Sequence, residues 1–84
     1  MTNTLVYLHS LAADYLASMG NRRAVVEFIN SLSRNPEVVG DYRQPGPRGR
    51  IIEVKILGRY AVLFFKDPYA GLVKVLEIRN VEQG

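Results

Sequence analysis

Apolar and polar positions alternate through RGRIIEVKIL and YAVLFFK, the two runs on either side of Gly58-Arg59 in the stretch from Arg48 to Lys66. Both are rich in β-branched and aromatic residues, and a two-residue loop with glycine first suits the type II′ turn between twisted antiparallel strands. The pattern predicts a β-hairpin. With Leu57 paired to Tyr60, Ile56 faces Ala61, Val54 faces Leu63 and Ile52 faces Phe65, because residues directly opposite share one face of a sheet. That face is wholly apolar and is the expected floor of the core. The other sets Glu53 against Phe64 and Lys55 against Val62, with Arg50 and Arg59 flanking them.

The rest of the chain supplies a cover. Thr4 to His9 alternate weakly and read as a short strand. From Ser10, an acceptable N-cap, helix formers run with Leu11, Tyr15 and Met19 on one face, and Gly20 is the expected stop. Asn21 is the expected cap of a second helix through Asn35, in which Val25, Phe28, Ile29 and Leu32 form an apolar stripe that ends before Pro36. So short a link makes a helical hairpin, whose apolar faces need the apolar side of the β-hairpin. The segment PEVVGDYRQPGPRG, with three prolines and three glycines, reads as a loop. DPYAG reads as a turn in which Gly71 supplies positive φ. A last strand follows from Leu72 to Arg79, with Val73, Val75, Glu77 and Arg79 on one side and Leu72, Lys74, Leu76 and Ile78 on the other. Placing Leu76 and Ile78 in the core sets Glu77 and Arg79 beside Lys55. The expected architecture is a single α+β domain over residues 1–84: a helical hairpin packed on one face of a small, mainly antiparallel sheet of three to four strands.

Composition narrows the function. The 84 residues are 48% hydrophobic and 23% charged, as in a globular protein. They include no cysteine and one histidine, which excludes disulfides and leaves no credible zinc constellation. The apolar runs are too short to span a bilayer and the N-terminus lacks the features of a signal peptide, so a cytoplasmic protein is expected. Between Asp41 and Arg59 five cations (Arg43, Arg48, Arg50, Lys55, Arg59) face two acids (Asp41, Glu53), which accounts for the whole formal charge of +3. Such a segment suits an acidic partner, and it suits equally a solvated basic surface.

Nucleophilic triads and phosphate-binding glycine loops are missing, since GPRGR lacks both the lysine-serine pair and a following helix. His9 stands without an evident orienting partner. What remains is a cationic sheet face with an acid inside it. Metal-free ribonuclease chemistry needs a base for the 2′-hydroxyl, cations for the phosphorane and an acid for the leaving oxygen. Glu53, Lys55, Arg59 and Arg79 are the candidate catalytic residues for it, and no cofactor is called for. Glu53 and Lys55 are two apart on a strand and point the same way. Tyr60 or Phe64 would stack a base, and Arg43, Arg48 and Arg50 would hold the backbone of a nucleic acid. The same residues also read as an ordinary same-face ion pair, worth less than ~1 kcal/mol if exposed.

The order of elements, with GDYRQPGPRGRIIEVKILGRYAVLFFKDPYAGLVKVLEIRNVE as its most specific part, resembles the RelE/ParE superfamily of bacterial type II toxins. The shared pattern is a hydrophobic strand, a Gly-Tyr or Arg-Tyr turn, a strand similar to YRVLF, and a final strand similar to V.VL.I. The resemblance implies a cytosolic toxin, associated with plasmid stabilisation, neutralised by an antitoxin encoded beside it. It implies either ribosome-dependent, metal-independent mRNA cleavage that inhibits translation or, in the ParE-like branch, inhibition of DNA gyrase. Lys55 then falls where RelE-like enzymes carry a lysine on the scissile phosphate, Glu53 where some carry a second lysine, and Arg59 and Arg79 near further family cations. Ala61 replaces the arginine expected after the turn tyrosine, and the sequence reaches Gly84 without a C-terminal tyrosine or histidine. These departures leave open a gyrase inhibitor, or a non-catalytic nucleic-acid or protein-binding module of the same fold. Val62, Phe64, Val73 and Val75, apolar on the expected outer face, suggest cover by a partner peptide, a tail or a second copy, as in a homodimer or a hetero-oligomer with the antitoxin.

Overall fold

The computed structural model describes residues 4–81. β1 (Leu5–Leu8), α1 (Ser10–Ser18), α2 (Arg23–Arg34), β2 (Tyr42–Pro45), a short 3₁₀ turn (Pro47–Gly49), β3 (Ile51–Leu57), β4 (Tyr60–Asp67) and β5 (Leu72–Asn80) follow in order. The strands form one five-stranded sheet in the order β1-β5-β4-β3-β2. All neighbours are antiparallel except β1 and β5.

The hairpin forms as the alternation predicts: Leu57 pairs with Tyr60, Ile56 with Ala61 and Val54 with Leu63. Gly58 takes φ 62° at the turn, the left-handed conformation that glycine adopts without a Cβ clash. The DPYAG turn also forms. Asp67 Oδ1 accepts the Tyr69 and Ala70 N–H groups at 3.1 Å, and its carbonyl accepts the Gly71 N–H at 2.9 Å. The Ala70 N–H, with help from Lys74 and the Tyr69 N–H, holds the Asp67 carboxyl below its ordinary value of 3.8.

The helices are shifted at their ends from the expected caps. His9, not Ser10, caps α1: its Nδ1 accepts the Leu11 N–H at 3.2 Å. An imidazole nitrogen serves there as a hydroxyl would. α1 ends at Ser18, with Met19 extended, before Gly20 is reached. α2 starts at Arg23 without a side-chain cap, so Asn21 does not play that part. Its buried stripe is Val25, Ile29 and Leu32, as the spacing predicts.

Two further expectations fail, and both bear on function. First, the proline-glycine loop contains β2. This strand pairs with β3 on one side only, and an edge position tolerates Pro45 because its missing donor faces no neighbour. Second, the helices pack on the other face of the sheet. Ala12, Val25, Ile29 and Leu32 form one cluster with Val62, Phe64, Val73, Val75 and Ile78, whereas Ile52, Val54, Ala61 and Leu63 form a second cluster of sheet residues alone. The residues expected to seek a partner peptide or second copy are thus covered by the protein's own helices.

A β-bulge explains how one strand serves both faces. Along β4 and β5, Val62 pairs with Ile78 and Leu63 with Glu77, but Phe64 pairs with Val75, which leaves Leu76 as the extra residue. Strict alternation would put Ile78 with Lys74. The bulge instead brings Ile78 to the helix side with Val73 and Val75, and sends Lys74, Glu77 and Arg79 to the helix-free side. Phe64, fully buried and edge-on to Phe28 at 5.5 Å, is the largest side chain in the helix-side core.

Phe64→Ala is expected to cost about 3–5 kcal/mol in denaturant unfolding, since it empties the centre of that core. A depressed carboxyl contributes stability that is present above its unfolded value and lost as pH falls through its folded one. The Tyr69 and Ala70 amide shifts should therefore titrate together with a midpoint below 3.8, and Asp67→Asn should abolish that transition.

Candidate nucleic-acid interface

Glu53 and Lys55 lie opposite Phe64 and Val62 and so point to the helix side, at the part of the sheet covered by the loop between α2 and β2. Glu53 is almost buried there, at 8% exposure. Its Oε1 accepts the Gly40 N–H at 2.8 Å and its Oε2 accepts Arg43 Nε at 3.0 Å. Both carboxylate oxygens are therefore engaged in holding the loop. Gly40 approaches so closely that a Cβ would sit 2.6 Å from the Val54 backbone. Asp41 continues the arrangement: its N–H donates to the Val54 carbonyl at 2.8 Å, its Oδ2 accepts the Ile56 N–H at 2.6 Å, and its Oδ1 lies 3.7 Å from Lys55 Nζ. The carboxylate thereby satisfies a donor at the end of the β2–β3 ladder. Glu53, Lys55 and Arg43 are brought together, but around a structural pin.

Arg79 is not beside Lys55, as the sequence suggested. It lies opposite Ala61 on the helix-free face, a consequence of the bulge. Glu77 accepts from Arg79 Nε at 3.1 Å and from Nη2 at 2.9 Å. That bidentate pair raises the guanidinium further above its ordinary value, with Tyr42 contributing in the same sense. Arg79 is consequently a fixed, permanent cation with half of its side chain exposed.

The same face carries two more cations. The Arg50 guanidinium lies 4.6 Å from the centre of the Phe65 ring, and Lys74 Nζ lies 5.8 Å from it. Lys74 is also paired with Asp67 at 3.4 Å. Tyr7 and Tyr42 are half exposed, and by register Tyr7 stands beside Lys74 and Tyr42 beside Val54. The helix-free face thus has an apolar floor, a cationic rim and exposed aromatic rings.

The remaining candidates are dispersed. Phe64 is fully buried and offers no surface to a base. Tyr60 packs edge-on against Tyr15 at 6.4 Å as part of the helix-side core. Arg59 sits at the hairpin turn, where its carbonyl accepts the Val81 N–H at 2.8 Å. Arg48 adopts φ 61° in the 3₁₀ turn and shares a cavity of about 340 Å³ with Arg50, Lys66 and Tyr69. Tyr7, His9 and Lys74 escaped the sequence reading as a group, because the parallel pairing of β1 with β5 joins residues more than sixty positions apart. Among the described residues no cluster of acids and histidine could hold a metal ion, and no helix is long and apolar enough to cross a membrane.

A helical pair packed on a five-stranded, mostly antiparallel sheet defines the fold class. The chain is similar to solved structures of that class. It superposes on a chain of the archaeal RelE–RelB complex from Pyrococcus horikoshii with a TM-score of 0.74 and 20% identity, covering 100% of both chains. It superposes on a chain of the toxin-antitoxin complex RelBE2 from Mycobacterium tuberculosis with a TM-score of 0.65 and 27% identity, covering 93% of this chain and 98% of that one. No protein-family model and no curated protein sequence matches it. The protein has a RelE-type toxin fold.

Glu53→Gln should destabilise the protein by about 1–3 kcal/mol, because one of the two nearly buried acceptor oxygens becomes an NH2 donor and the charge opposite Arg43 is lost. Amide exchange at Gly40 should accelerate in the variant, with the β3–β4 amides little changed.

Proposed function

We propose that the protein is the toxin of a type II toxin-antitoxin system, a single cytoplasmic domain that cleaves mRNA on the ribosome without a metal and is neutralised by an antitoxin encoded beside it. The observation that carries this reading is a RelE-type fold whose helix-free face concentrates Arg50, Lys74 and Arg79 around an apolar floor. Both solved neighbours come from toxin-antitoxin complexes, which supports an antitoxin as the protein partner.

In this reading the chemistry is mainly electrostatic. A phosphate held over the face meets Arg79, whose guanidinium is already oriented by Glu77 and needs little reorganisation as charge grows on the phosphorane. Glu53 does not serve as the base, since its two oxygens are occupied by Gly40 and Arg43. Lys55 belongs with Asp41 on the other side of the sheet.

Induced expression in a bacterial host with pulse labelling tests the proposal. Protein synthesis should stop first, transcripts should be cut within codons, and co-expression of the neighbouring gene should restore growth. Arg79→Ala should lower cleavage by about a hundredfold. Early loss of DNA synthesis, or full cleavage by Arg79→Ala, would contradict it.

A further inference from the structure

On the helix-free face a cavity of about 540 Å³ is lined by Tyr7, His9, Arg50, Phe65, Lys74 and Leu76, among others. Its size lies in the range of small-molecule sites. The sheet register builds it: Tyr7 of β1 pairs with Lys74 of β5, and Lys74 pairs with Phe65 of β4, so that one row crosses three strands. Arg50, just before β3, closes the row by lying over the Phe65 ring.

The polar groups of this cavity are complementary to an anion. Among the described residues no carboxylate pairs with Arg50, whose guanidinium rests on the ring alone. Lys74 is tied to Asp67 at 3.4 Å, which fixes its position at the rim. Because His9 Nδ1 accepts the Leu11 N–H at 3.2 Å, the imidazole proton is assigned to Nε2, which makes the ring a donor at the cavity it lines. Two cations and an N–H donor therefore border one opening. Beside them stands Tyr7, 54% exposed, with an aromatic surface large enough to stack a base.

We infer that this cavity is a binding site for one nucleoside monophosphate unit, with the phosphate held by Arg50, Lys74 and the His9 Nε2–H and the base stacked on Tyr7. It deepens the proposed function by naming where a nucleotide is gripped away from Arg79, and it rests on RNA being the substrate only for the origin of that nucleotide. A free nucleotide and a nucleotide within a strand present the same chemistry to the site.

Titration of the isotope-labelled protein with AMP, inorganic phosphate and a five-nucleotide RNA, followed by amide shifts, tests the site. AMP should bind more tightly than inorganic phosphate and shift signals of residues 7, 9, 50, 65 and 74. Arg50→Gln and Tyr7→Ala, both at the surface, should each weaken AMP by about tenfold, while Lys55→Gln, on the other side of the sheet, should leave it unchanged. A pentamer that binds through the same signals more tightly than AMP assigns the site to an RNA strand, and equal affinity assigns it to free nucleotide. AMP no tighter than phosphate, or unaffected by Arg50→Gln, would overturn the inference, as would a glutamate-rich peptide binding there more tightly than AMP. AMP binding by a protein that cleaves no RNA would overturn the proposed function and leave this site standing.

Discussion

A sheet with two apolar faces and only two helices can be covered on one side, and the choice of side governs the rest of this molecule. The choice rests on Phe64. Its ring, fully buried against Phe28, anchors the face that also carries Val62, Val73, Val75 and Ile78. Burying that set under α1 and α2 removes more large side chains from water than would the opposite set, where Ala61 occupies the centre. The bulge at Leu76 is what completes the arrangement. Without the extra residue Ile78 would leave the core and Arg79 would enter it, exchanging an apolar contact for a buried charge.

The functional asymmetry follows from this packing. On the helix side, charged groups lie beyond the helices, where the loop between α2 and β2 covers the sheet and they are consumed by structure: Glu53 and Arg43 pin the loop, and Asp41 takes the Ile56 N–H and neighbours Lys55. On the helix-free side the sheet's own long side chains lie on its apolar surface, with Arg50 on Phe65 and Lys74 near it. Those cations are held by aromatic rings and rim carboxylates, so they remain able to meet a phosphate. A segment that is basic in sequence is therefore divided in space into a structural part and an available part.

Local chemistry made the hairpin, its register and the DPYAG turn legible, because each depends on residues a few positions apart: Gly58 at the turn, Leu57 opposite Tyr60, Asp67 under Ala70. The α2 stripe was legible for the same reason. The side on which the helices dock was misread: Glu53 and Lys55 make one face of the hairpin look the more polar, yet the helices cover its Val62 and Phe64 while the loop before β2 covers Glu53. A single-residue bulge also leaves no mark in a strand that alternates well in either register, so Arg79 was assigned to the wrong face. The edge strand β2 hid behind Pro45 and Gly40, residues that usually break strands and are tolerated here because one side of β2 is unpaired. The cavity by His9 required the parallel union of the first strand with the last, a contact that no local pattern encodes.

The central claim is that the helix-free face, not the Glu53 side, meets RNA. Photo-crosslinking of a short 4-thiouridine-substituted RNA, with the adducts mapped by mass spectrometry, tests it most directly. Adducts on Tyr7 and Tyr42, with residues 36–41 unmodified, are the predicted result. Adducts concentrated on residues 36–41 or on Tyr60, with Tyr7 and Tyr42 untouched, would contradict it.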